Sequence, residues 1–206
     1  IHAAHQNHRV VILSLIGDYD NWPPAKGRGT ELKETCASLA HAHGIETRFL
    51  GLASGRFQLN DAHVRAVAEV VAEVKPDIGF MLWSNDRHPD HEAASAISKA
   101  ALRLAPRVLD DASVKVPAQV FLYDNGPGHT IGFEPDTYVD ISEQWPYAVE
   151  WLGQLMAFVR GVPYEESNLD AAVSAKATLA RYRGAACGVR YAEALRALTP
   201  RPTRIV

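Results

Sequence analysis

The chain has 206 residues, 47% of them hydrophobic and 22% charged, and carries a formal net charge of −3 at pH 7. That length buries a full core as one globular domain, and the slight acidic balance excludes the basic footprint of a nucleic-acid-binding protein. No apolar run approaches the roughly 18 residues needed to span a bilayer.

In chain order, Val10–Ile16 is β-branched and apolar without alternation, as in a strand buried on both faces of a parallel sheet. It runs into GDYDNWPPAKGRG, a polar, turn-rich loop. Glu31–His43 then reads as a helix with Leu32, Cys36, Leu39 and Ala40 on one stripe and Gly44 as its stop. Thr47–Leu52 reads as a second strand. Asn60 or Asp61 caps a helix whose apolar positions are Val64, Val67, Ala68, Val71 and Val74, broken at Lys75-Pro76-Asp77. Ile78–Leu82 is a third buried strand, followed by WSNDRHPDH and the alanine-rich helix Glu92–Leu104. Beyond Pro106, Gln119–Tyr123 is a strand and Asp124–His129 (DNGPGH) a Gly/Pro loop. Tyr138–Ile141 is extended, and Ser142 is placed as the cap of a helix to about Arg160. Leu169–Arg183 is expected as a final helix and Tyr191–Leu198 as a helical remnant. The β-loop-α repetition predicts an α/β, Rossmann-like, three-layer α/β/α fold with a mostly parallel sheet. Ligands in such folds bind at the carboxyl ends of the strands. Both GDYDNW and SNDRHPDH fall there.

The second of these segments carries the densest chemistry. His88 and His91 flank a proline and Asp90, with Asp86 and Arg87 just ahead. Two histidines three apart at a helix start can project into one pocket. One could bind a metal while the other donates to an oxyanion. The local pattern reads equally as a metal site or as a polar loop with an N-cap aspartate and two surface histidines, because HPDH supplies at most two ligands and a catalytic zinc usually needs three.

KPDIGFMLWSNDRHPDHEAASAISKAAL resembles the strand, D-R-H-P-D-H motif and following helix of the PIG-L/LmbE-type N-acetylglucosamine de-N-acetylases. RGTELKETCASLAHAHGIETRFLGL is similar to that family's Arg-x-x-Glu helix and next strand, and GFEPDTYVDIS and GVRYAEAL resemble later segments. The resemblance thus spans essentially the whole chain. It implies a zinc-dependent hydrolase that removes the acetyl group from an N-acetylglucosamine-type amino sugar or its conjugate. Within that reading His91 is a Zn2+ ligand, His88 stabilises the tetrahedral intermediate, Asp90 tunes the charge of the histidines and Arg28 reaches the substrate. Asp18, in the first loop with Tyr19, Asp20 and Trp22, and His129, in the Gly/Pro loop, are further substrate-binding candidates.

The family's first motif, H-P-D-D-E, supplies the other two zinc ligands and the general base. It does not occur in these 206 residues. The start of the chain resembles the end of the helix that follows that motif, so the resemblance implies roughly twenty residues ahead of Ile1, a strand and a turn included. His2, His5 and His8, like His41 and His43, read as surface histidines rather than replacement ligands. Trp145, Trp151 and Leu155 read as core, and Asp140 as structural. The partner is a small-molecule amino sugar, with no nucleic acid and no membrane span, and the resemblance also allows a homo-oligomer. Two cysteines without a CxxC pattern, Cys36 and Cys187, fit a reducing compartment, hence a cytoplasmic protein. The competing classes are a non-catalytic sugar-binding relative that has lost the first motif and a different metal hydrolase such as a phosphoesterase. The latter would require more clustered His and Asp than the chain shows.

Overall fold

The computed structural model describes residues 1–126, 128–167 and 170–200. In chain order the elements are α1 His2–His5, β1 Val10–Asp18, α2 Gly29–His41, β2 Ile45–Ala53, α3 Asp61–Val74, β3 Ile78–Leu82 and α4 Pro89–Val108. They continue as β4 Gln119–Tyr123, β5 Thr137–Asp140, α5 Trp145–Arg160, α6 Ala171–Cys187 and β6 Ala192–Ala197. The fold is α/β. The chain packs into two compact units, residues 1–57 with 140–193, and residues 58–139 with 194–200 of the described chain.

In the first unit β1 and β2 pair in parallel from Val10↔Ile45 to Asp18↔Ala53, with α2 as the crossover between them. The register shifts on either side of Ile16, and there Gly17 is required. A Cβ at Gly17 would run into the carbonyl oxygen of Leu50, so only a residue without a side chain lets the strands approach this closely. Leu32 and Ala40 of α2, Ile45, and Val173 and Ala180 of α6 are buried in this unit. His43, expected on the surface, instead stacks on Trp151 at 5.6 Å with the rings 7° from parallel, flanked by His5 and Tyr147. A flat imidazole can cover an aromatic face while its nitrogens stay wet, which sequence spacing does not reveal.

The second unit holds the sheet β3-β4-β6-β5. β3 and β4 pair in parallel in register Ile78↔Gln119 to Leu82↔Tyr123, joined by α4. α3 starts where Asn60 accepts from the backbone N–H of His63 at 2.8 Å and buries the stripe Val64, Val67, Ala68 and Val71. It stops at Lys75, which takes the left-handed conformation (φ 52°) just before Pro76. α4 packs Ile97, Ala101, Leu102 and Ala105 into the same core, and Ser95 donates to the Leu82 carbonyl at 2.8 Å, tying helix to strand.

Three local expectations need correction. α4 begins at Pro89, not Glu92, so the HPDH motif is the first turn of the helix itself; proline suits that position because no N–H is needed there. Tyr191–Leu198, expected as helical, contains β6, which pairs antiparallel with β4 (Phe121↔Ala197, Tyr123↔Leu195). Alanine favours helix, but pairing with β4 and burial of Ala192, Ala194 and Leu195 override that preference. Ser142 does not cap α5, whose cap position is Gln144. Its hydroxyl donates to Asp140 at 2.6 Å and accepts from the Tyr191 N–H at 3.1 Å, closing a turn before the helix. The start expected at Leu169 lies outside the described residues; α6 is capped by Asp170, which accepts from Ala172 N–H at 2.8 Å.

Candidate metal and catalytic site

The site lies in the second unit, beyond the carboxyl ends of β3 and β4. His88 is the N-cap of α4: its backbone is extended (φ −98°, ψ 121°), and its ring Nδ1 accepts the backbone N–H of Asp90 at 3.2 Å. A nitrogen that accepts an N–H carries no proton, so neutral His88 holds its proton on Nε2 as a donor. His91, one turn into the helix, places Nδ1 2.9 Å from an oxygen of Asp86. A carboxylate can only accept, so this Nδ1 carries the proton and Nε2 holds the lone pair a metal would take, with the Asn125 amide nitrogen 3.3 Å from it. The two rings stack with centroids 4.7 Å apart. Neighbouring imidazoles are thereby set to opposite tasks, one a donor and one a ligand.

Asp86 organises the cluster. Its side chain is 2% exposed, and the same oxygen also accepts the backbone N–H of His88 at 2.8 Å. Burial by itself pushes the Asp86 carboxyl up. The His88 N–H, the bond from His91 and the electrostatic attraction of the His91 and His129 rings outweigh burial and hold it below its ordinary value of 3.8. A buried charge of this kind requires donors or cations around it, and it has them.

The loop after β4 closes on this motif. Gly126 and Gly128 take φ values of 94° and 89°, a left-handed region open to glycine. The Gly126 carbonyl accepts from the N–H groups of His129 and Thr130, and Thr130 accepts the Asn125 N–H at 2.8 Å. Two strand-like backbone bonds then join the loops, Arg87 N–H to His129 O and Ile131 N–H to Asn85 O, each 3.0 Å, around an antiparallel bridge between Asp86 and Thr130. Trp83 adds an Nε1–H bond to the Ile131 carbonyl at 3.0 Å. His129 is thus carried to 3.8 Å (Nδ1) from Asp86, with its ring 5.2 Å from that of His91. Asp86, His91 and His129 each offer one donor atom within 4.8 Å of the others.

Among the candidates read from sequence, His88, His91 and His129 therefore come together. Asp90 is buried in the first turn of α4, while the carboxylate against the His91 ring is that of Asp86. Arg28 and Asp18 belong to the first unit and make their contacts there. The Arg28 guanidinium sits 4.1 Å above the Phe158 ring and donates to the Phe158 carbonyl at 3.1 Å, and Asp18 accepts the Asp20 N–H at 3.0 Å. Sequence reasoning does not single out Asn125, whose amide nitrogen lies 3.0 Å from His91 Nδ1 and 3.3 Å from its Nε2. The only signal for it is its place two residues after the end of β4.

Residues 1–102 match the model of the PIG-L family, described as GlcNAc-PI de-N-acetylase. Over these residues the chain belongs to the PIG-L family. The matched PIG-L region ends within α4 and so includes the whole histidine motif. Among solved structures, the conserved protein TT1542 from Thermus thermophilus superposes with a TM-score of 0.76 at 24% identity, covering 98% of this chain and 87% of that one. GalB, the 4-carboxy-2-hydroxymuconate hydratase from Pseudomonas putida KT2440, gives 0.75 at 15% identity, covering 100% and 90%. The N,N'-diacetylchitobiose deacetylase from Pyrococcus horikoshii gives 0.68 at 17% identity, covering 96% and 75%. These likenesses are of fold, and that fold serves both a hydratase and a deacetylase.

Proposed function

We propose that this PIG-L-family chain is a metal-dependent hydrolase that removes the acetyl group from an N-acetylglucosamine-type amino sugar or its conjugate. The observation that carries the proposal is the opposed pair of imidazoles, His91 with Nδ1 on the buried Asp86 and His88 with Nδ1 on a backbone N–H. Amide hydrolysis passes through an oxyanion, and a neutral imidazole with its proton fixed on Nε2 is a donor suited to it. The donor set fits a borderline divalent ion, and zinc is the ion we propose, held through His91. When bound, such an ion supplies a Lewis acid at the acetamide carbonyl.

His88 then donates from Nε2 to the oxygen that gains charge, and Asp86 keeps the His91 ring from turning. Asp90, buried in the first turn of α4, holds the His88 cap through its backbone N–H. The general base that the family resemblance implies belongs to H-P-D-D-E, so none of the 206 residues is assigned that step. The two free thiols accord with a cytoplasmic setting. The hydratase neighbour shows that fold does not choose between adding water across a double bond and hydrolysing an amide, whereas the PIG-L match favours the amide.

The test is acetate release from N-acetylglucosamine, its glycosides and diacetylchitobiose by the zinc-loaded protein. The expected result is turnover on at least one of them. His91→Ala should abolish it, and His88→Ala should lower kcat by about 10²–10³ with the metal retained. Saturable sugar binding with no acetate from any substrate would leave a non-catalytic sugar-binding protein instead. Normal kcat in His88→Ala would remove the role given to His88.

A further inference from the structure

We propose that His129 is a second imidazole ligand of the same divalent ion, so that His91, His129 and their shared Asp86 form a cation site within residues 86–129. The inference rests on the reading of His91 as a metal ligand and adds a residue that the family resemblance does not place on the metal.

Three observations support it. One Asp86 oxygen lies 2.9 Å from His91 Nδ1 and 3.8 Å from His129 Nδ1, so a single carboxylate faces the same nitrogen of both rings. For His91 this is a hydrogen bond, which fixes the ring's orientation and turns its other nitrogen outward, while His129 at 3.8 Å stands within ion-pair range of the same carboxylate. The position of His129 is also set by the backbone. The bonds from Arg87 N–H to His129 O and from Ile131 N–H to Asn85 O fasten the loop at His129 and two residues beyond it, and neither uses the His129 side chain. The exposures finally suit an ion arriving from solvent, with the Asp86 side chain at 2% and those of His91 and His129 at 24% and 47%. Two imidazoles beside a carboxylate select zinc, cobalt or nickel over magnesium and calcium, which prefer all-oxygen sets.

Metal-stripped protein is titrated with Zn2+ by calorimetry and with Co2+ by visible absorption, and Mg2+ serves as the comparison. The expected result is one Zn2+ per chain at the site with Mg2+ silent. His129→Ala should weaken Zn2+ binding by at least about tenfold and change the Co2+ spectrum. His129→Asp, which restores a ligand, should recover part of the affinity, and circular dichroism should show the fold unchanged in both. Wild-type affinity and an unaltered Co2+ spectrum in His129→Ala would overturn the inference while leaving His91 as ligand if His91→Ala still abolishes binding. Binding lost in His5→Ala or His8→Ala, and kept in both site variants, would put the ion on surface histidines and overturn this inference together with the metal role of His91.

Discussion

Two loops leave parallel strands at their carboxyl ends, and they use similar side chains in opposite ways. The loop after β1 carries Asp18, Tyr19, Asp20, Trp22 and Arg28. Its polar groups turn back onto their own unit: Asp18 accepts the Asp20 N–H, the Tyr19 hydroxyl reaches the Ile16 carbonyl at 3.4 Å, and Arg28 covers Phe158. The loop after β3 carries Asp86, His88 and His91, and there the groups turn toward one another and toward a second loop. The difference lies in burial and in the residue type that meets it. Asp86 is a nearly solvent-free carboxylate, and the groups around it include two imidazoles that keep a second nitrogen for other chemistry. A polar residue at a strand end thus becomes a site only when its partners retain a free donor or acceptor.

This comparison can be broken by mutation. The largest expected effect is at Asp86: Asp86→Asn should weaken metal binding about 10- to 100-fold by freeing the His91 ring, measured by zinc calorimetry. The same change should alter the acid limb of stability. The folded carboxyl lies below its ordinary value of 3.8, so its contribution is complete above that pH and is lost as the pH falls through the lower folded value. Wild-type protein should therefore lose stability over that acid range more steeply than Asp86→Asn in urea melts at graded pH; equal slopes would count against the buried charge. Next comes Arg28→Ala, which should lower stability by about 1 kcal/mol through loss of the Phe158 stacking and of the bond to its carbonyl. An unchanged unfolding midpoint with a raised KM would return Arg28 to substrate binding and erase the contrast between the loops. The smallest effect is expected for Asp18→Ala, about 0.5 kcal/mol from one local turn bond, read from the same denaturation curves.

Much of the fold could be read in advance where the local signal and the tertiary demand agree. Ile78–Leu82 and Gln119–Tyr123 are strands with the expected bounds, and α3 begins and ends at its expected cap and breaker. Agreement failed at β6, where alanine-rich sequence favours helix in isolation but the open edge of β4 imposes extended pairing. It failed again at His43, whose burial comes from Trp151, far away in the chain. In the site, His88 and His91 stand out because their chemistry and their spacing are adjacent in sequence. The pairing of His91 with Asp86, five residues back, was within reach but ambiguous, since Asp90 stands directly beside the ring in sequence.

The amino-acid sequence by itself determined the element order from β1 to α6, the family resemblance and the two histidines at the start of α4, because caps, periodicity and motif spacing are local properties. Only the tertiary structure decided that Asp86 is the carboxylate held against His91 and that Asn125 and His129 meet that ring, because the last two meetings depend on backbone bonds between segments some forty residues apart. Such bonds are made by N–H and C=O groups that every residue carries, so no side-chain pattern announces them.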